Sequence, residues 1–445
     1  MRRHGFRRLS VLVTTLAAAA VGLPATTVHA AAPAAPSGLR QVGYFTQWGI
    51  YGRAFHVKNL DTSGAAARLT HINYAFANVS PDGRCFEANI PGEGDAWADY
   101  QRPASAEESV DGVADAWGEP LNGNFGQLLK LKAKYPKLKV MLSIGGWTWS
   151  TYFSNAALTP ESRAAFVSSC IDLFLKGNLP VLDGGSGGPG SAAGVFDGID
   201  LDWEWPNWPG EPGNVIRAED RQNFTALLAD FRTQLDAYGR QTGKRYELSA
   251  FLPANPAAMD AGFEGTKIFQ YLDFATVQGY DFHGTWESLT NQQSALRRPA
   301  DSPDDPDFTG DRAINSWLAR GAPRSKLVLG IPYYGRGWTG VTGGGDGLFQ
   351  PATGPAPATF EAGYEDYKRL AELARGDFKV HRDLRAGHSW LFDGTTFWTY
   401  DDPLVVLHKA RYIRHERLGG AMVWSLDGDD ANATLTKTIS LGLGR

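Results

Sequence analysis

An α/β fold is what this 445-residue sequence predicts: a closed (β/α)8 barrel of the TIM type, with a small α+β insertion between the seventh strand and its helix. Three observations carry that expectation. Mainly apolar runs of strand length recur along the chain, each followed by a helical pattern, and such alternation reads as parallel pairing with both sheet faces covered. Eight such units occur, and no Gly-rich dinucleotide fingerprint follows the first strand, which favours closure over an open sheet. Residues 337–397 alone break the alternation.

Ahead of the barrel, Arg2, Arg3, Arg7 and Arg8 precede a short apolar run over 11–23 and small residues around Ala30. This is the pattern of a secretory signal peptide over 1–30, too short in its apolar part to span a membrane. The Arg7-Arg8 pair keeps a twin-arginine route open. Cleavage there removes four arginines and no acids, taking the formal charge from −5 to −9, with 39 basic residues against 48 acidic. An acidic chain argues against nucleic acid as a partner, and no other apolar run approaches spanning length, so no membrane partner is expected. Residues 31–39 read as an Ala/Pro spacer and 40–445 as the barrel, acting as a monomer.

The first strand is expected over 42–46 and the second over 71–77. Residues 80–120 form an irregular stretch with Trp97 and Trp117, longer than an ordinary connection. A helix over 125–134 ends in basic residues before Pro136. The third strand, 138–144, runs into Gly145-Gly146-Trp147, and an amphipathic helix follows over 160–175. Residues 184–188 match the Gly-x-Ser-x-Gly pattern of serine hydrolases, but Pro180 and Pro189 flank them where that motif needs a strand and a helix, so a loop is expected. The fourth strand spans 196–204, a helix 218–238, the fifth strand 246–251, and the sixth 272–280. The acidic, Pro-rich stretch 301–311 has no metal-ligand spacing and reads as a solvated loop. After a helix over 313–320 and the seventh strand over 326–332 comes the insertion. It holds a Gly run at 343–347 without the Lys-Ser/Thr ending of a phosphate loop, a helix over 364–374 and a strand-like piece over 378–382. A helix over 404–417 and the eighth strand over 420–425 complete the barrel. Cys85 and Cys170 are the only cysteines. In an exported chain they fit one disulfide, and equally two small buried residues.

The fourth strand carries the most chemistry. With period-two alternation, Phe196, Gly198, Asp200, Asp202 and Glu204 share one face, and Ile199, Leu201 and Trp203 the other. Buried, unpaired carboxylates are costly, and neighbours resist ionising together, so at least one pKa is expected to rise, as a general acid working near neutral pH requires. Barrel enzymes place their chemistry at the carboxyl ends of the strands. Those ends also offer Tyr44 and Trp48, Phe76, Gly145, Gly146 and Trp147, then Gln278, Tyr280, Asp281 and Trp286, then Tyr334, Arg336 and Trp424. Acids among aromatic platforms, with no metal-ligand cluster and no nucleotide cradle, fit a carbohydrate cleft without metal or cofactor. Each aromatic taken alone reads equally well as core.

Phe196-Asp-Gly-Ile-Asp-Leu-Asp-Trp-Glu204 resembles the Asp-x-x-Asp-x-Asp-x-Glu signature of family 18 glycoside hydrolases, the chitinases. Ser143-Ile-Gly-Gly146 is similar to that family's Ser-x-Gly-Gly motif, and Tyr280-Asp281 to the end of its Met-x-Tyr-Asp motif, with Gln278 in place of Met. Tyr334-Gly-Arg336 and the insertion resemble the bacterial subfamily with an insertion domain. The resemblance implies hydrolysis of β-1,4 links between N-acetylglucosamine units in chitin and chito-oligosaccharides. Glu204 is the implied general acid/base. Asp202 would orient the substrate's acetamide and Asp200 share a proton with Asp202. Tyr280 would bond the acetamide carbonyl, supported by Asp281. Trp424 would floor the sugar, with Tyr44 and Phe76 in the same subsite, Trp147 and Trp286 on the leaving side, and Arg336 on neighbouring hydroxyls. Asp197 is expected to brace the strand. An endo-β-N-acetylglucosaminidase on glycoprotein glycans shares the signature. A non-catalytic chitin-binding lectin shares the barrel but usually lacks the acid present here as Glu204.

Overall fold

The structure, a computed structural model, describes residue 1 and residues 38–182, 185–304 and 308–445, and one compact unit runs Gly38–Arg445. The leader expected over 1–30 and the spacer to residue 37 lie outside the described residues apart from Met1, as do residue 184 of the Gly-Ser run and residues 305–307 of the acidic loop.

Eight parallel strands close on themselves: β1 Arg40–Thr46, β2 His71–Val79, β3 Lys139–Gly145, β4 Gly198–Asp202, β5 Glu247–Leu252, β6 Phe274–Val277, β7 Leu327–Pro332 and β8 Gly420–Trp424. Closure comes from β1 pairing with both β2 and β8. The strands read as apolar runs because both faces are covered, inside by the barrel interior and outside by helices. A helix follows each strand in turn: α1 Val57–Thr62, α2 Gly123–Lys134, α3 Pro160–Cys170, α4 Asp220–Thr242, α5 Pro256–Gly262, α6 Gly310–Ala319, α7 Pro403–His415 and α8 Thr434–Leu443. In α4, Phe224, Leu227, Leu228, Phe231 and Leu235 recur at helical spacing and are buried, and Gly243 ends the helix in the left-handed conformation. In α7, Pro403 sits at the first turn and the Asp402 carboxylate accepts from the amides of Leu404 and Val405.

At the amino ends of the strands, Glu247 of β5 accepts from His71 of β2 at 2.9 Å and pairs with Lys139 of β3. At the opposite end the fourth and sixth strands finish earlier than expected. The strand predicted over 196–204 stops at Asp202, whose register partner Gly145 is the last residue of β3. Beyond it the chain turns into a short helix, Gly146–Trp149, so Trp203 and Glu204 have no neighbour left to pair with. The sixth strand likewise ends at Val277, before Gln278 and Tyr280.

Residues 80–120 are less irregular than expected. They hold a hairpin, Asn89–Ile90 with Gly94–Asp95, and a helical turn, Trp97–Gln101. A disulfide joins Cys85 to Cys170 of α3. After β7, strands Tyr334–Thr339, Gly354–Pro355, Tyr364–Asp366, Lys379–Asp383, His388–Phe392 and Phe397–Tyr400 form a separate antiparallel sheet around Trp338, Trp390, Phe392 and Phe397. The sheet begins at Tyr334, three residues before the segment expected from the sequence. The helix predicted over 364–374 is also corrected. Its first three residues pair with Tyr334–Arg336, and the helix is Tyr367–Leu373. Stacking of Tyr364 on Tyr334, centroids 4.4 Å apart, outweighs the helical pattern there. No helix among the described residues is long and apolar enough to cross a membrane.

Candidate active site

Three adjacent strands set the depth of the site. In their shared register Ser143 of β3 lies beside Asp200 of β4, which lies beside Ser249 of β5. Asp200 is fully buried and takes three hydroxyl donors. Tyr44 at 2.7 Å and Ser143 at 2.8 Å donate to its Oδ2, and Ser249 at 2.6 Å donates to its Oδ1. Asp202 is buried too, but its Oδ1 has no hydrogen-bond partner among the described residues. Burial raises both carboxyls, and for Asp200 the hydroxyl donors pull part of that shift back. Asp202 has no such donors and is pushed well up by burial, then by the charges of Glu204 and Asp200.

Glu204 sits just past the strand end and is partly buried. Burial first, then the charge of Asp281, pushes its carboxyl up to about 8, so it is protonated at neutral pH. Its backbone is held on both sides: the amide donates to Ser150 Oγ at 2.9 Å, and the carbonyl accepts from Asn214 at 3.0 Å. The Ser150 hydroxyl in turn donates to the carbonyls of Gly146 and Asp202. Asp197 accepts from the Val140 amide at 2.9 Å and pairs with Lys132, away from the acid row.

Aromatic rings cover the tips of β1, β2 and β8. Trp424 stacks on Phe76 (5.5 Å, 18°) and lies 5.3 Å from Tyr44, while Trp48 sits 6.2 Å from Phe76. Gly145 and Gly146 have φ of 106° and 73°. A Cβ on Gly145 would lie 2.4 Å from the Asp202 carbonyl oxygen, and one on Gly146 would lie 2.6 Å from the Phe76 ring. Both glycines are thus positions of close packing under the signature strand. Trp147 and Trp286 stand 47% and 58% exposed, flat faces open to a ligand. Outward from Trp48, a hollow of about 430 Å³ is lined by Trp97, Trp149, Asn89 and Asp95.

The opposite wall comes from β6 and the chain after β7. Tyr280 is buried, its hydroxyl 3.7 Å from Met422 Sδ, and burial with the nearby Asp202 and Glu204 charges keeps it protonated. Asp281 adopts φ 55°, a conformation aspartate tolerates better than most residues, and pairs with Arg336 at 2.8 Å. The Arg336 guanidinium lies over the rings of Trp286, Tyr334 and Tyr364. Gln278 turns its side-chain oxygen to the Ala254 amide at 3.1 Å. Tyr334 is buried against Tyr280 and Tyr364.

The structure thus groups Tyr44, Phe76, Trp424, Asp200, Asp202, Glu204 and Tyr280 at one end of the barrel, with Asp281, Arg336, Tyr334 and Trp286 forming a side wall. Sequence reasoning missed Ser249, Ser150, Met422 and Tyr364. The one available signal was a lone hydroxyl, Ser249, in the otherwise apolar middle of the fifth strand. Ser186 of the Gly-Ser run is buried, and its hydroxyl is spent on the Glu119 carbonyl at 2.8 Å. No group of three or more His, Cys, Asp or Glu side chains among the described residues could hold a metal ion.

Comparison with known proteins identifies the family and the fold. Chitinase C of Streptomyces lividans is 40% identical over 398 residues, and chitinase 63 of Streptomyces plicatus 40% identical over 409. These alignments take in 88% and 91% of this chain but only 58% and 60% of those enzymes. Among solved structures, the catalytic domain of a psychrophilic chitinase B from Arthrobacter TAD20 superposes with a TM-score of 0.87 at 49% identity, covering 91% of this chain and 95% of that one. The model of the glycosyl hydrolases of family 18 matches residues 40–429, and the chain belongs to that family.

Proposed function

We propose that this chain is an exported, monomeric chitinase that cuts β-1,4 links between N-acetylglucosamine units of chitin and chito-oligosaccharides. The observation that carries this reading is the row of Asp200, Asp202 and Glu204 at the carboxyl end of β4, with both aspartates buried and burial pushing the Glu204 carboxyl up. A protonated Glu204 gives its proton to the glycosidic oxygen. Asp202 ends the strand that leads into the acid, so it stands on the acid's side of the sugar and is badly placed to attack from the opposite face. The substrate's own acetamide oxygen therefore attacks C1 as the C1–O bond breaks, giving an oxazolinium ion. Asp202, the member of the pair without hydroxyl donors, turns to accept from the acetamide N–H, and the single negative charge of the Asp200–Asp202 pair balances the positive ion. Tyr280, kept neutral, donates to the acetamide carbonyl, and Asp281 supports that group while paired with Arg336. Glu204, now anionic, takes a proton from water, the water attacks C1, and the product keeps its β configuration. Trp424 with Tyr44 and Phe76 floors the reacting sugar, Trp147 and Trp286 stack on leaving-side sugars, and Tyr334 and Arg336 line the wall. The insertion, residues 337–397, deepens the cleft for linear chains, and residues 1–30 direct export.

Hydrolysis of chitohexaose with anomer-resolved product analysis tests the reading. Short chito-oligosaccharides in the β form are expected, together with loss of turnover but retained binding in Glu204→Gln. Release of glycans from a glycoprotein with chitohexaose left intact would move the assignment to an endoglycosidase. Binding without any cleavage would make the chain a lectin.

A further inference from the structure

The acid row has a feature beyond its three carboxylates. Tyr44 and Ser143 both donate to Asp200 Oδ2, and Ser249 alone donates to Oδ1, at 2.6 Å. Ser249 is fully buried in β5, in register with Asp200, and its hydroxyl donates to that carboxylate. A hydroxyl in a strand that otherwise packs Leu248, Ala250 and Leu252 has a cost unless it is bonded. The bond it makes is charge-assisted when Asp200 is ionised. We propose that Ser249 is a positioning residue for the acid row: by fixing the second oxygen of Asp200, it keeps the negative charge there and leaves the exchangeable proton on Asp202, ready for the substrate's acetamide.

The geometry makes this asymmetry specific. Asp200 has donors on both oxygens, whereas Asp202 has a buried oxygen with none. An ionised carboxylate inside a barrel is tolerable only where hydrogen bonds replace water. Of the pair, Asp200 alone meets that condition. Without Ser249 its Oδ1 is left bare, the two carboxyls become more alike, and the pair takes up a second proton at higher pH. The groups facing Asp200 are Tyr44 from β1, Asn73 from β2, Ser143 from β3, Asp202 on its own strand and Ser249 from β5, with Tyr280 and Glu204 beyond Asp202. Only the carboxyls among them titrate in the acid range, so a changed acid limb reports on the row itself.

This inference rests on the chitinase reading, and the test separates the two. The full chain and its Glu204→Gln, Ser249→Ala, Ser249→Thr and Ser249→Val variants are assayed on chitohexaose from pH 4 to 9, with melting temperatures alongside. For Ser249→Ala, kcat is expected to fall about tenfold with KM within about twofold. The acid limb of kcat/KM is expected to move up by about one pH unit, the worth of one hydrogen bond to a charged group. Thr and Val have nearly the same shape, so Ser249→Thr restores the wild-type limb while Ser249→Val keeps it displaced, even if Ser249→Ala does not fold. Equal limbs in the Thr and Val variants, or a uniform loss of activity in Ser249→Ala with its limb unmoved, overturn the role of Ser249 and leave the chitinase reading standing. A wild-type chain that leaves chitohexaose intact sinks the chitinase reading, and the role of Ser249 falls with it.

Discussion

Glu204 is protonated at neutral pH because its surroundings disfavour the charged form, and the same cause acts on stability. Its folded value of about 8 lies above the ordinary 4.5, through burial first and then Asp281. A group raised in this way contributes fully to stability below its unfolded value and loses that contribution as pH rises through the folded one. Glu204→Gln should therefore melt at a higher temperature than the wild type at pH 8, with the gap closing by pH 4.5. Calorimetry across that range checks it, and a gap that is flat with pH counts against the raised carboxyl. Activity should fall on the alkaline side near pH 8, where the acid loses its proton. At this scale the three acids were legible, because period-two spacing placed them on one face. The residues that serve them were not. Ser249 and Ser150 sit in no motif, and a single hydroxyl in an apolar run gives no sign of what it will meet across the sheet.

Element ends determine what those side chains can do. β3 must stop at Gly145 and turn sharply, and Gly146 leaves room for the Phe76 ring at 2.6 Å from where a Cβ would lie. Gly146→Ala also strains a backbone at φ 73°. It should destabilise the fold by about 1–3 kcal/mol and displace Phe76 from Trp424, lowering kcat/KM by at least about tenfold. A variant with wild-type kinetics would mean that Phe76 does not shape the sugar floor. At the other end of the strands, Glu247 is buried, which pushes its carboxyl up, yet His71 and Lys139 hold it down to about 2. The sign is opposite to that of Glu204: this stabilisation is complete above the ordinary 4.5 and drains away as pH falls toward 2. Glu247→Gln should lower the melting temperature at pH 6 and leave it almost unchanged at pH 2, measured by thermal scans at both. Strand positions were readable from their apolar runs. Their ends were not, since a strand stops where its neighbour turns away, as β4 does beyond Gly145, and that depends on a segment far off in sequence.

For the molecule as a whole, the order of eight strands and helices followed from alternation alone, while the sheet over residues 334–400 did not. Its short antiparallel strands meet partners set by tertiary contact, so Tyr364–Asp366 joined Tyr334–Arg336 although the local pattern was helical. The pairing of Cys85 with Cys170 was equally illegible, since it depends on how the fold brings the two together, and it ties a long stretch of chain: 85 residues separate the two. Closing a loop of that length removes about 4–5 kcal/mol worth of freedom from the unfolded chain, if chain entropy dominates. The segment it starts carries the hairpin and Trp97 beside the hollow, but that segment has a second anchor. Asp99 is buried where Tyr74 and Gln47 both donate to it, bonding the helical turn to β2 and to the end of β1. The double variant Cys85→Ser/Cys170→Ser should thus melt several degrees lower. Its kcat on a chitobiosyl substrate should stay within about twofold, since the donors that hold Asp200 come from β1, β3 and β5. A collapse of that kcat would mean the Asp99 anchor cannot hold the segment alone. An unchanged melting temperature would mean the unfolded chain is already restricted between these two positions.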